Sequence, residues 1–186
     1  MRGRREVSFR AAAAADADAV AALHTDSWRR HYRGAYADAF LDGDVLTDRR
    51  AVWSRRLAAP GPESVTILAE ADAEAIGFVH VVLDEDERWG SLVDNLHVSP
   101  ARQRQGIGSA LMALAAQAAA DGAAARSMYL WVLEQNVAAQ AFYAARGGRS
   151  VGRALVESPG GVPGRLSGRP LKLRYAWQDA RAIPRP

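Results

Sequence analysis

The sequence predicts a mixed α/β fold with a mostly antiparallel central sheet and helices on both faces. Three observations carry this. Residues 64–98 hold three strand-like runs separated only by short turns, so neighbours pair antiparallel. Helical and strand periods then alternate between residues 106 and 156. Helical spacing also recurs ahead of the first hairpin.

Taken in order, Val7-Ser8-Phe9-Arg10 alternates as a short first strand. Over 16–28, Val20, Leu23 and Ser27/Trp28 fall at helical spacing, with Asp16 placed as N-cap. A second short helix or loop holds Tyr32, Tyr36, Phe40 and Leu41. Residues 48–57 carry Val52, Trp53 and Leu57 at helical spacing, and Pro60-Gly61-Pro62 stops them. Segments 64–71 and 75–83 form a hairpin about a turn at 71–74. An acidic turn over 84–90 leads to a third strand, 91–98, closed by Pro100, which has no ladder donor. Residues 106–121 are helical, with Ile107, Leu111, Leu114, Ala115 and Ala118 on one face and Gly122 as a C-cap glycine. A buried strand at 128–133 precedes a helix at 137–146, which Gly147-Gly148 ends. A strand at 149–156, a glycine- and proline-rich loop at 158–168 and a last strand at 171–177 follow. The tail after Gln178 is expected to fray.

Composition narrows the function classes. A chain of 186 residues fits one domain, 1–186, large enough to bury a core without staples. The formal charge is +3, and all but one of the basic residues are arginine, Lys172 being the exception. The arginines are dispersed among acidic residues, which argues against a nucleic-acid stripe. With no cysteine, disulfides, thiolate nucleophiles and thiol metal sites are excluded, and no metal is expected. The basic start Met1-Arg2-Gly3-Arg4-Arg5 lacks an apolar segment behind it, so no signal peptide is read. The longest apolar stretch, 110–120, contains Gln117 and is too short for a span of about 20 residues. A soluble cytoplasmic protein without a membrane partner is expected.

The informative segment leaves a strand at Leu96-His97-Val98 and enters a helix through Gln103-Arg104-Gln105-Gly106-Ile107-Gly108-Ser109. Two glycines at i and i+2 let the backbone turn tightly and approach a ligand. Free N–H groups of a first helical turn, with the helix dipole behind them, favour an anion such as phosphate. A Walker loop needs Gly-Lys-Ser/Thr, and the single lysine is elsewhere. A dinucleotide fingerprint needs a third glycine where Leu111 stands. What remains is Gln/Arg-x-x-Gly-x-Gly between a strand and an Ala/Leu-rich helix.

That pattern resembles the GNAT superfamily of acetyl-CoA-dependent N-acetyltransferases. A second block is similar to the same family: Asn136-Val137-Ala138-Ala139-Gln140-Ala141-Phe142-Tyr143-Ala144-Ala145-Arg146-Gly147 matches Asn-x-x-Ala-x-x-Phe/Leu-Tyr-x-x-x-Gly in register. Gly148 departs from it, standing where the family usually has phenylalanine. The resemblance covers residues 91–152 well, and the front end from Ser27 to Gly34, with Phe40, Leu41 and Trp53, less specifically. It implies a GNAT-like fold and acetyl-CoA as cosubstrate. The expected acceptor is a primary amine of a small molecule or of a protein N-terminus. The alternative is a CoA-binding sensor without catalysis, for which Gly148 and the absence of an evident base speak.

The resemblance also implies roles. Gln103, Arg104, Gln105, Gly106, Ile107, Gly108 and Ser109, mostly through backbone N–H, would hold the diphosphate. Leu96, His97 and Val98 would pair with pantetheine like an added strand. Asn136 and Tyr143, seven residues apart on one helix face and about 10 Å apart along its axis, would contact a pantetheine amide and the thioester sulfur. Tyr143 would protonate the departing thiolate. Asp94 is the first candidate base. A lysine-like amine costs about 4.6 kcal/mol to deprotonate at pH 7 and an α-amine about 1, so only the former demands a strong base. His80 and His97, as side chains, are read as structural. Trp28, Tyr32 and the acidic turn are expected at the acceptor mouth, and the C-terminal strands are a candidate homodimer surface.

Overall fold

Runs of β-branched and apolar residues build seven strands, and alanine-rich amphipathic runs build five helices, among residues 6–184, which the structure, a computed structural model, describes. The basic segment 1–5 lies outside them. In chain order the elements are β1 (Ser8–Ala11), α1 (Ala17–His31), α2 (Asp38–Asp42), α3 (Val45–Ala58), β2 (Ser64–Ala71), β3 (Glu74–Asp86) and β4 (Gly90–Val98). They continue with α4 (Ile107–Gly122), β5 (Met128–Leu133), α5 (Val137–Ala144), β6 (Arg149–Leu155) and β7 (Leu171–Trp177). The strands form one sheet in the order β1-β2-β3-β4-β5-β7-β6. Every neighbouring pair is antiparallel except β4 and β5.

Alternation along β2 and β3 divides the apolar side chains between two faces. Leu68 and Phe78 meet Val20, Ala21, Trp53 and Leu57 of α1 and α3. Ala69, Val79 and Val81 meet Leu111, Met112 and Ala115 of α4. The helices therefore cover both faces, as expected. Trp28, Tyr36, Phe40, Leu41 and Val45 form a third cluster beneath the turn that follows α1.

Four local expectations change. The acidic run is strand rather than turn as far as Asp86. Asp84 accepts from the Ala124 and Ala125 N–H groups at 2.7 and 2.9 Å, and Glu85 accepts from the Tyr129 hydroxyl, so these carboxylates anchor the sheet. Gly122 is the last residue of α4 rather than its left-handed cap. A Cβ there would lie 2.8 Å from Leu83 Cδ1, so close approach to β3 is what suits glycine. Asp16 precedes α1, but its carboxylate accepts from the Ala13 N–H and from Arg10 instead of capping that helix. The tail does not fray at once: Ala180 and Ile183 are buried in the α4-side core. No helix among the described residues is long and apolar enough to cross a membrane.

Candidate active site

The site arises where the one parallel pair fails to continue. β4 and β5 are paired only at Ser91–Met128 and Leu92–Tyr129. Beyond these residues no pairing links the two strands, although β3 and β7 still hold their outer edges. A wedge opens between Val93–Val98 and the later residues of β5, and a cavity of about 510 Å³ occupies it. A bulge sharpens the opening: His80 faces Asn95 and Val81 faces Val93, which leaves Asp94 as the extra residue on β4. The free edge of a strand presents N–H and C=O groups in the spacing that a chain of amides needs.

The turn between β4 and α4 forms one end of this cavity. Arg104 and Gly106 both take left-handed conformations, at φ 59° and 86°. Gly106 is the α4 N-cap, and a Cβ there would meet nothing within 4 Å. The first helical hydrogen bond is made by the Ala110 N–H to the Gly106 carbonyl, so the N–H groups of Ile107, Gly108 and Ser109 have no acceptor within the helix. No side chain caps them. Gln103, Arg104, Gly106, Gly108 and Ser109 line the cavity. Gln105 and Ile107 do not. The Gln105 amide donates to the Ala101 carbonyl at 3.2 Å, and the Ile107 side chain is buried in the core, which leaves only its N–H available.

Helix α5 forms the opposite wall. Asn136 caps it, accepting from the Ala139 N–H at 3.2 Å, and still faces the cavity. Tyr143 lines the cavity nearly two turns on, and burial raises its phenol well above the ordinary tyrosine range, so it is a protonated hydroxyl at neutral pH. Arg146, one turn further, was not singled out from the sequence. Its guanidinium lies 3.6 Å from the Phe142 ring centroid and donates to the Ser109 hydroxyl and the Phe142 carbonyl. Burial lowers its pKa. A cation thus stands beside the free N–H groups of α4. The i,i+4 spacing of Phe142 and Arg146 was visible in the sequence, but the contact of Arg146 with Ser109, 37 residues away, was not.

Leu96, His97 and Val98 line the wedge, and so does Asp94. The Asp94 carboxylate accepts from Arg56 at 2.7 Å and is half-buried. His97 bonds the Ser27 hydroxyl through Nδ1 at 2.7 Å, and its Nε2 is buried without a partner. Burial, with His31 nearby, lowers its pKa to about 4. His80 is bonded to Thr66 at 2.8 Å, and burial brings it also to about 4. Both imidazoles are neutral at pH 7. Tyr32 lines the cavity, whereas Trp28 does not; it is buried behind, 5.5 Å from the Tyr32 ring. The acidic run lies at the end of β3, beside the first residue of β4 and outside the cavity lining. Among the described residues no group of three or more histidine and carboxylate side chains is placed to hold a metal ion.

The model of the Acetyltransferase (GNAT) family matches residues 18–156. A Bacillus subtilis (strain 168) protein named Uncharacterized N-acetyltransferase YuaI is 27% identical over 132 residues, covering 70% of this chain and 73% of its own. The fold is shared with PaiA N-acetyltransferase from Thermoplasma acidophilum, solved with coenzyme A (TM-score 0.63, 18% identity, 92% of this chain and 99% of that one). It is shared too with YncA from Salmonella typhimurium, a putative acetyltransferase solved with acetyl-CoA (TM-score 0.65, 19% identity, 96% and 98%).

Proposed function

This chain belongs to the acetyltransferase (GNAT) family, and we propose that it moves an acetyl group from acetyl-CoA to a primary amine by direct attack. The observation that carries the reading is the turn 103–109, whose unpaired N–H groups open onto a cavity that runs between β4 and β5 to Tyr143. These residues fit the cosubstrate. An anion such as a diphosphate suits the free donors of α4 and the adjacent Arg146. A pantetheine arm, itself a chain of amides, suits the unpaired edge of β4 and the Asn136 side chain. Bound there, the thioester supplies an activated acetyl group.

The protein's own contribution is positioning and proton handling. The β4 edge orients the acetyl carbonyl and offers N–H groups to the oxygen on which charge develops. As the amine nitrogen forms its bond to the acetyl carbon, the C–S bond breaks. Tyr143 gives its proton to the departing sulfur, and Asp94 takes the proton that the amine loses. His97 is not assigned that role, because its Nδ1 is engaged with the Ser27 hydroxyl and its Nε2 is buried.

Calorimetry with CoA and thiol release from acetyl-CoA across a panel of amines test the reading. Binding of CoA that Gly108→Val abolishes, with amine-dependent thiol release, is the expected result. A Cβ at residue 108 would lie 3.5 Å from the Phe142 ring and 3.7 Å from Val98, both cavity-lining, so the further methyls of valine would crowd the cavity beside the turn. Normal CoA binding by that variant would sink the assignment of the turn.

A further inference from the structure

Resting on the acetyl-transfer reading above, we propose that the acceptor is a small amine and that a built-in strap closes the acceptor side to a polypeptide. A second cavity, about 140 Å³, is lined by Tyr32, Tyr36, Trp131, Val156, Glu157 and Lys172. It shares Tyr32, Trp131, Val132 and Leu133 with the large cavity, so the two adjoin along β5 and the turn after α1. Its volume is below the roughly 300–1,000 Å³ usual for drug-sized ligands.

The main-chain groups that a peptide would need there are already joined to each other. The loop between β6 and β7 is bound to the turn following α1 as a short antiparallel bridge at Tyr36 and Leu166. Ala37 N–H donates to the Arg165 carbonyl, and Ser167 N–H donates to the Ala35 carbonyl, each at 2.9 Å. Arg165 fixes the loop from its other side, bonding Asp48 at 2.7 Å and the Pro159 carbonyl at 3.1 Å, with its guanidinium over Phe40 at 4.4 Å. From the β5 side, the Gln135 amide donates to the His31 and Arg33 carbonyls at 3.1 and 2.8 Å. Recognition of an extended peptide by strand addition rests on main-chain hydrogen bonds to a free edge. This edge is engaged on both flanks. What remains is a compact aromatic space holding one carboxylate, Glu157, and one ammonium, Lys172, which lies 4.7 Å from the Trp131 ring centroid; by its size it admits a small amine and not a polypeptide.

The test is calorimetric and does not depend on turnover. Three ligands are compared: CoA, CoA joined through an S-carboxymethyl linker to ethylamine, and CoA joined through the same linker to the N-terminus of a hexapeptide. The native protein is expected to bind the ethylamine conjugate at least as tightly as CoA, and the hexapeptide conjugate about tenfold or more weakly than CoA. Opening the strap by Arg165→Ala, or independently by Ser167→Pro, which deletes the donor to Ala35, should bring the hexapeptide conjugate close to CoA while the dissociation constant of CoA itself stays the same. Native protein that binds the hexapeptide conjugate as tightly as the ethylamine conjugate overturns the proposal. So does a strap variant that folds, binds CoA and still rejects the hexapeptide. Failure of CoA itself to bind would instead overturn the acetyl-transfer reading, and the strap with it.

Discussion

At the scale of single residues the site separates proton handling from anion binding. Tyr143 is kept protonated by burial, and an acid with nothing else to do should be removable without loss of affinity. Tyr143→Phe is expected to lower turnover by about 100-fold, within the usual range for general acid catalysis, with CoA affinity nearly unchanged. Steady-state rates beside calorimetry check this; undiminished turnover would remove Tyr143 as the acid. Arg146 should show the opposite pattern. A charge-assisted hydrogen bond contributes roughly 1.5–3 kcal/mol, so Arg146→Ala should weaken CoA binding by about 10- to 100-fold and flatten its salt dependence. A dissociation constant that does not move would confine this arginine to packing on Phe142. Asp94 is distinguishable by pH. A base matters most where the acceptor is still protonated, so Asp94→Asn should lose most activity at low pH and approach the native rate as pH rises. Parallel pH–rate profiles for the two proteins would exclude it.

Among elements, the junction after α5 shows why the family pattern could drop its aromatic residue. A Cβ at Gly148 would lie 2.6 Å from Trp177 Cζ2 and 2.9 Å from the Tyr143 carbonyl. The volume is filled from β7: Trp177 is buried, and its indole N–H donates to the Arg146 carbonyl at 2.8 Å. Gly148→Phe, although it restores the family residue, should therefore destabilise by about 1–3 kcal/mol and lower the melting temperature by several degrees. Adding Trp177→Ala should recover part of the loss, and an unchanged melting temperature in Gly148→Phe would show that the junction has room. The same junction marks how far the sequence could be read. β2, β3, α4, β5 and α5 were legible because each has one clear period and a glycine, proline or polar stop. The 103–109 turn was legible because its glycine spacing has a local physical meaning. The wedge was not, since it depends on where one pairing stops, and periodicity carries no information about partners. Asp94 as a bulge, Arg146 against Ser109, and residues 35–37 against 165–167 are likewise long-range facts. The acidic end of β3 was misjudged because strand residues beyond the core edge are free to be charged.

The molecule as a whole carries a buried histidine layer between α1, α3 and the sheet, and this sets its response to acid. His24, His80 and His97 surround Trp53 and Phe78: His24 lies 4.9 Å from His97 and 6.0 Å from Phe78, and His80 lies 5.4 Å from Trp53. The Trp53 indole N–H donates to His24 Nδ1 at 3.0 Å, which requires that nitrogen to be unprotonated. Burial holds all three rings below the ordinary 6.5, His80 and His97 at about 4. Above pH 6.5 the rings are neutral in both folded and unfolded chains and no stability is lost. As pH falls below 6.5 the unfolded chain takes up protons that the folded one refuses, so stability declines until His80 and His97 titrate near pH 4 in the folded chain. Each histidine contributes a slope of about 1.4 kcal/mol per pH unit, or roughly 2 kcal/mol between pH 6.5 and 5. The paired carboxylates Asp16 and Asp48, whose arginine partners lower their pKa, act in the same direction but at lower pH. Urea unfolding at pH 7.5, 6 and 5 should thus show a falling midpoint with little change in slope against denaturant. His80→Gln, whose amide still reaches toward Thr66, should lose about one histidine's share of that pH dependence even if its stability at pH 7.5 is lower. A native midpoint that stays level from pH 7.5 to 5 would mean that these rings take up protons without unfolding. The core between α1, α3 and the sheet, where His24 and His80 are buried, would then have to admit water in the folded state.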